Sequence, residues 1–125
     1  MKKKLFAALA AGTMLCGMLT APVSAAETSY QMGDVNMDGV VDLADVQEAL
    51  QFWCTSIAYK QGKLTPEQQA LGNVDGEITT IAWARGRIDT PISVVDAQIL
   101  LIYYTRHMSR PDLTLEDVLT SLNIK

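Results

Sequence analysis

A 12-residue acidic segment constrains this chain more than any other feature. Residues 34–45 read Asp-Val-Asn-Met-Asp-Gly-Val-Val-Asp-Leu-Ala-Asp, which is the calcium-loop pattern D-x-[DN]-x-[DN]-G-x5-E with Asp in place of the final Glu. Asp, Asn and Gly are also common in surface turns, but a turn does not require this alternation followed by a carboxylate at the last position. The expected Ca2+ ligands are Asp34, Asn36, Asp38, the backbone carbonyl of Val40, Asp42 and Asp45.

The first 25 residues have the composition of an export signal. Three lysines precede an apolar run from Leu5 to Leu19, and Val23-Ser24-Ala25 places small residues at positions −3 and −1 of a cleavage site. A retained membrane helix is the alternative, but the run is too short and no positive stop follows it. We therefore expect a secreted, extracellular protein with no membrane span, in which residues 26–32 form an N-terminal linker.

The composition excludes several classes of function. The chain has 14 acidic and 10 basic residues, and an acidic chain lacks the basic face of a nucleic-acid binder. Cys54 is the only cysteine beyond the export signal, so no internal disulfide can form, and a bound metal is the usual alternative support for a small exported domain. No nucleophile elbow, phosphate loop or zinc spacing is present, and the sequence indicates no enzyme.

The acidic loop leads directly into a helix but does not follow one. Apolar residues recur from Leu43 to Ile57 at spacings of three and four, which is the helical period. The eight residues Ala26 to Gly33 are too few to form a stable entering helix. A full EF-hand has both helices, so this hand consists of a loop and an exiting helix only.

A second, interrupted copy of the repeat lies downstream. Residues 94–101 are similar to residues 43–50, and Asn73-Val-Asp-Gly76 resembles the start of a loop. Residues 77–88 are an insertion between the two halves, expected to be a short excursion that packs on the domain. The expected second set of Ca2+ ligands is Asn73, Asp75, Asp89, Ser93 and Asp96, with Glu77 as the alternative to Asp89. The repeat could instead persist only for packing, without metal.

The remaining segments predict an all-α fold. Thr65 and Pro66 begin a short linking helix that reaches Leu71, and a third helix spans residues 94–107. Thr114 begins a capping-box pattern that predicts a final helix to about Leu122. The expected architecture is therefore two calcium loop–helix repeats, a linking helix and a C-terminal helical extension.

Two loop–helix repeats without entering helices, in an exported chain, resemble a dockerin. The resemblance rests on residues 33–45 and 92–98 and covers residues 33–108, leaving 109–125 as the extension. It implies a calcium-binding module, monomeric before docking, that binds a cohesin of a scaffoldin during cellulosome assembly on plant polysaccharide. The first repeat matches closely. The second departs through its insertion, which is more similar to ruminococcal than to clostridial type I dockerins.

In dockerins, positions 10 and 11 of each repeat help to select the cohesin. Here these positions are Leu43-Ala44 and Val94-Val95, which are apolar, and exposed apolar clusters usually mark interfaces. The expected docking surface comprises Leu43, Ala44, Gln47, Val94, Val95, Gln98 and Ile102. Packing of Leu43 and Val95 in the core is the alternative for these residues. The alternative function is a secreted calcium-binding protein without a cohesin partner.

Overall fold

The computed structural model describes residues 29–59, 62–83 and 86–125, so the predicted export signal and the start of the linker lie outside the described residues. Its elements in chain order are α1 (Leu43–Tyr59), α2 (Pro66–Gly72), β1 (Thr79–Trp83), β2 (Gly86–Thr90), α3 (Val94–Ser109) and α4 (Leu115–Ser121). The four helices lie where the apolar periodicity and the capping residues predict them. No helix among the described residues is long and apolar enough to cross a membrane.

The two repeat helices, α1 and α3, pack against each other and form the centre of the core. Equivalent positions of the two repeats are buried: Ala49 and Leu100 are 0% exposed, and Phe52 and Tyr103 lie one turn further along. The loops contribute equivalent pairs as well, with Val35 and Val74 at position 2 and Val41 and Ile92 at position 8. Each large apolar side chain buried in this way contributes about 1.5–3 kcal/mol.

The prediction of an all-α fold is wrong, because the insertion forms a two-stranded antiparallel sheet. Strands β1 and β2 pair from Thr79 opposite Thr90 to Trp83 opposite Gly86, which places Ile81 opposite Ile88. Threonine and isoleucine favour extended backbone, and Gly86 has a φ of +135° that other residues rarely adopt. The fold is therefore mixed α/β, with a hairpin inserted into the second loop.

The C-terminal extension packs on the same core. Val118 in α4 is fully buried, and five partly buried apolar side chains of the segment pack against the core: Leu113, Leu115, Leu119, Leu122 and Ile124. Thr114 caps α4, since its hydroxyl accepts the backbone N–H of Asp117 while the Asp117 carboxylate accepts the N–H of Thr114. The extension is thus continuous with the helical domain.

Candidate calcium sites

Asp34, at position 1 of the first loop, is fully buried and organises the turn. Its Oδ1 accepts the backbone N–H of Asp38 at 3.0 Å, and its Oδ2 accepts the N–H of Gly39 at 2.8 Å. The chain can fold back onto the carboxylate because Gly39 has a φ of +92°. The Asp34 side chain therefore lies inside the loop.

Asp45, at position 12, closes the first loop from the first turn of α1. Its Oδ1 accepts the N–H of Asn36 at 3.1 Å and its Oδ2 accepts the N–H of Asp42 at 2.8 Å. Burial raises the pKa of the Asp45 carboxyl above its ordinary value, backbone hydrogen bonds from Asp42, Asn36 and Val35 oppose that rise, and the negative charge of Asp34 adds to it. Burial therefore disfavours the charged form of this carboxyl group.

The outer ligand positions are held in local hydrogen bonds. Asn36 Oδ1 accepts the N–H of Asp38 and Asn36 Nδ2 donates to Asp38 Oδ2, both at 2.9 Å. Asp38 Oδ1 accepts the N–H of Val40, and Asp42 Oδ1 accepts the N–H of Ala44. Asn36 Oδ1, Asp38 Oδ1 and Asp42 Oδ1 thus accept backbone N–H groups, and Asp38 Oδ2 accepts a side-chain amide. In the described part of the chain, no three Asp, Glu, His or Cys side chains lie close enough together to hold a metal ion.

The donors of the first loop nevertheless fit a calcium ion. All of its side-chain ligand candidates present carboxylate or amide oxygens, which hard cations prefer. Asp34 and Asp45 are both 0% exposed, and every hydrogen bond that they accept comes from a backbone N–H. Two buried carboxylates supported only by neutral amides are costly unless a cation accompanies them.

The second loop repeats the closure of the first. Asp96 is 0% exposed, and its Oδ1 accepts the N–H groups of Val74 and Asp75 at 2.9 and 3.2 Å. Its Oδ2 accepts the N–H and the hydroxyl of Ser93 at 2.7 and 3.1 Å. Burial raises the pKa of the Asp96 carboxyl, and hydrogen bonds from Ser93 and Asp75 oppose the rise. Asp45 and Asp96 therefore bind the backbone at the same two loop positions, 3 and 9.

Asn73, at position 1 of the second loop, carries an unpaired acceptor. Its Oδ1 is buried and has no hydrogen-bond partner, the only such side-chain atom among the described residues. A buried oxygen without a donor costs about 1–3 kcal/mol, and a bound cation would remove that cost. Asp75 Oδ1 accepts the N–H of Glu77 at 2.9 Å, so Asp75 also faces the start of the insertion.

Asp89, the expected position-5 ligand of the second loop, lies on the hairpin. It belongs to β2, is exposed, and its Oδ1 accepts the hydroxyl of Thr80 across the sheet at 2.7 Å. Glu77 is exposed as well. Hydrogen bonds to Asp96 therefore join Val74, Asp75 and Ser93, whereas the side chains of Asn73 and Asp89 form no hydrogen bond with this group.

The expected docking residues divide into exposed and partly buried side chains. Leu43, Val94 and Val95 are 41%, 38% and 43% exposed. Gln47 and Gln98 are exposed, Ala44 is half-buried, and Ile102 packs partly against the core. At the first turns of α1 and α3, then, apolar side chains face outward.

Two further exposed residues extend these faces. Leu50 and Leu101 are each 42% exposed and lie one turn beyond Gln47 and Gln98. Helical periodicity alone did not identify them, because Leu50 also fits the apolar stripe that predicts α1. Leu50 and Leu101 occupy equivalent positions in the two repeats, and this equivalence is the sequence signal that could have identified them. The paired faces are formed by Leu43, Gln47 and Leu50 on α1 and by Val94, Gln98 and Leu101 on α3.

Comparisons with protein-family models, with curated proteins and with solved structures find no match to this chain. The proposed function therefore rests on the two loops and on the paired helix faces.

Proposed function

We propose that this protein is a secreted, non-catalytic docking module that binds Ca2+ and then binds a cohesin of a scaffoldin in extracellular cellulosome assembly. One observation carries the proposal. Asp45 and Asp96 close two loops by the same hydrogen bonds, and each does so from the first turn of a helix that the loop enters directly. This arrangement is a pair of loop–helix hands, similar to that of dockerins, in which no helix precedes the first loop within the described residues and only the short helix α2 precedes the second.

Calcium and docking are coupled through the first turns of α1 and α3. The turn that contains Asp45 also contains Leu43 and Ala44, and the turn that contains Asp96 also contains Val94 and Val95. A cation bound by the loop fixes the closing carboxylate and with it the start of the helix. Metal binding therefore orders the backbone that presents the docking side chains.

The paired faces suit a partner with an apolar surface. Burying a leucine or valine side chain contributes about 1.5–3 kcal/mol, so Leu43, Val94 and Val95 are sufficient to act as hot spots. Gln47 and Gln98 lie between the apolar residues on the two helices and can donate hydrogen bonds to the partner and accept them from it. The partner is a protein surface with few charges at the centre of the interface.

The proposal is tested with purified cohesin modules, with calcium and with chelator. We expect binding only in calcium, and we expect the double variant Ala44→Asp with Val94→Asp to lose at least about 100-fold in affinity, because it places two charges in an apolar interface. Ala70→Asp with Ile78→Asp is the matched control, since both residues are exposed outside the paired faces.

Each result of the cohesin-binding test that differs from this expectation has its own meaning. Loss of calcium-induced helicity in the first double variant would place Ala44 and Val94 in the core. Unchanged affinity with the fold intact would mean that the partner uses another surface. Calcium binding without any cohesin binding would favour the alternative function, a secreted calcium-binding protein without a cohesin partner.

A further inference from the structure

The C-terminal segment, residues 113–124, contacts the start of the first calcium loop. Gly33 immediately precedes the ligand candidate Asp34 and has a φ of +96°. A Cβ built on Gly33 would lie 2.9 Å from Leu100 Cδ2, 3.2 Å from Val41 Cγ1 and 3.3 Å from Leu115 Cδ2. The backbone before Asp34 is therefore enclosed by α3, by the loop itself and by the first residue of α4.

The C-terminal segment is itself held by polar contacts with α3. The Leu113 carbonyl lies 3.0 Å from His107 Nδ1, and because a carbonyl can only accept, the ring nitrogen donates. Arg106 Nη1 donates to Ser121 Oγ at 2.8 Å. With Val118 fully buried below them, these contacts fix the position of Leu115 relative to the loop.

The other side of Gly33 is also fixed. Its N–H donates to the carbonyl of Leu71 at 2.8 Å, which ties the entry of the first loop to the end of α2. The Leu71 carbonyl accepts the Gly33 N–H, and the Leu115 side chain lies close to the Cα of Gly33. Gly33 therefore has little freedom to move. The entry of the loop is therefore held in the conformation that places the Asp34 carboxylate inside it.

We infer that Leu115 is a positioning residue for the first calcium site, through which the C-terminal segment raises the Ca2+ affinity of that site. The inference rests on the proposed function, because it assumes that the first loop binds calcium. A loop already held in its binding conformation loses less conformational entropy when the ion binds. Removal of the Leu115 side chain frees Gly33, and ion binding must then order it.

The test compares Leu115→Ala with Leu119→Ala in the full chain. Both variants shorten a partly buried leucine of α4, but Leu119 is not among the three nearest contacts of Gly33. Calcium titrations by calorimetry give the affinities, and the binding event that Asp34→Ala abolishes is assigned to the first loop. We expect Leu115→Ala to weaken calcium binding to the first loop about 3–10-fold more than Leu119→Ala does, when the two variants lose the same thermal stability. Leu115→Met should restore the affinity.

A second readout does not measure ion affinity. In saturating calcium, where we expect the chain to be folded, the Gly33 amide should exchange with solvent faster in Leu115→Ala than in Leu119→Ala. The inference is overturned if the ratio of lost calcium affinity to lost thermal stability is the same in the two alanine variants. The segment would then support only the fold. If Leu115→Ala does not fold, the smaller change Leu115→Val decides by the same criterion. Wild-type protein that binds no calcium would instead overturn the proposed function itself.

Discussion

Two glycines of the first loop region provide a direct measure of how tightly the loop is enclosed. Gly33 and Gly39 have nearly the same φ, +96° and +92°, so an alanine is strained by a similar amount at either position. They differ in their surroundings. A Cβ at Gly39 meets nothing within 4 Å, whereas a Cβ at Gly33 meets Leu100 at 2.9 Å. Gly39→Ala is therefore the matched control for Gly33→Ala.

The expected magnitudes follow from these contacts. An alanine forced to positive φ costs about 1–2 kcal/mol, and this cost applies to both variants. Gly33→Ala adds overpacking against Leu100, Val41 and Leu115, which costs about 1–3 kcal/mol in a well-packed core. For a domain of this size each kcal/mol lowers the thermal midpoint by about 4–8 °C. Gly33→Ala should therefore melt about 4–24 °C below Gly39→Ala.

The assay is thermal unfolding in saturating calcium, followed by far-ultraviolet circular dichroism, for the wild type and both variants. Gly39 lies within the loop, so a change in ion affinity shifts its midpoint even in saturating calcium. The calcium affinity of each variant is therefore measured by titration, and the contribution RT ln(1 + [Ca2+]/Kd) is subtracted before the midpoints are compared. Equal midpoints for the two variants would refute the reasoning, since they would show that Gly33 is not enclosed by α3 and α4.

Three further predictions follow from the loops and from α4. Because buried carboxylates lack a cation in the metal-free chain, we expect the chain to be largely unfolded or molten in chelator and helical in calcium. Asp34→Ala should remove most of this response to calcium. An unchanged cooperative transition in chelator would contradict the prediction. Calorimetry should show one tight and one weaker site, with Asp96→Ala affecting only the weaker event, and two equal tight sites would be inconsistent with the interrupted second loop. Thr114 hydrogen bonds lower the pKa of Asp117, so the stability that they contribute is present above the ordinary carboxyl pKa and is lost as the pH falls through the lowered value. Thr114→Ala should lower the thermal midpoint by roughly a few degrees and reduce this pH dependence, because the hydroxyl is lost while the backbone N–H of residue 114 still donates to Asp117; melting curves across acidic pH will show both effects.

The helices and the first loop could be predicted because their signals are local. Asp45 lies 11 positions after Asp34 in a fixed pattern, and α1 follows at once with uninterrupted helical periodicity. Thr65 and Thr114 mark the starts of α2 and α4 through capping boxes, which depend on only four consecutive residues. Such patterns require no knowledge of which distant segments meet.

The hairpin and the extent of the exposed faces were not accessible in the same way. From the sequence, residues 77–88 are expected to form only a short excursion, because a strand is defined by the partner with which it pairs and that pairing is not a local signal. Leu50 fits the helical apolar stripe, yet it is exposed because α3 packs on the neighbouring face that contains Ala49. Both errors concern tertiary contacts, which a local period does not specify.

The hairpin also explains the difference between the two loops. In the first loop, the N–H groups of positions 5 and 6 close onto the Asp34 carboxylate. In the second loop, the chain leaves after Gly76 to form β1 and β2, so no equivalent N–H groups reach position 1 and Asn73 Oδ1 remains unpaired. A neutral amide is less costly than a carboxylate when it is buried without donors. Asn at this position therefore lowers the cost of burying the first residue of the second loop without donors, and it leaves a buried, unpaired oxygen that a cation can bind.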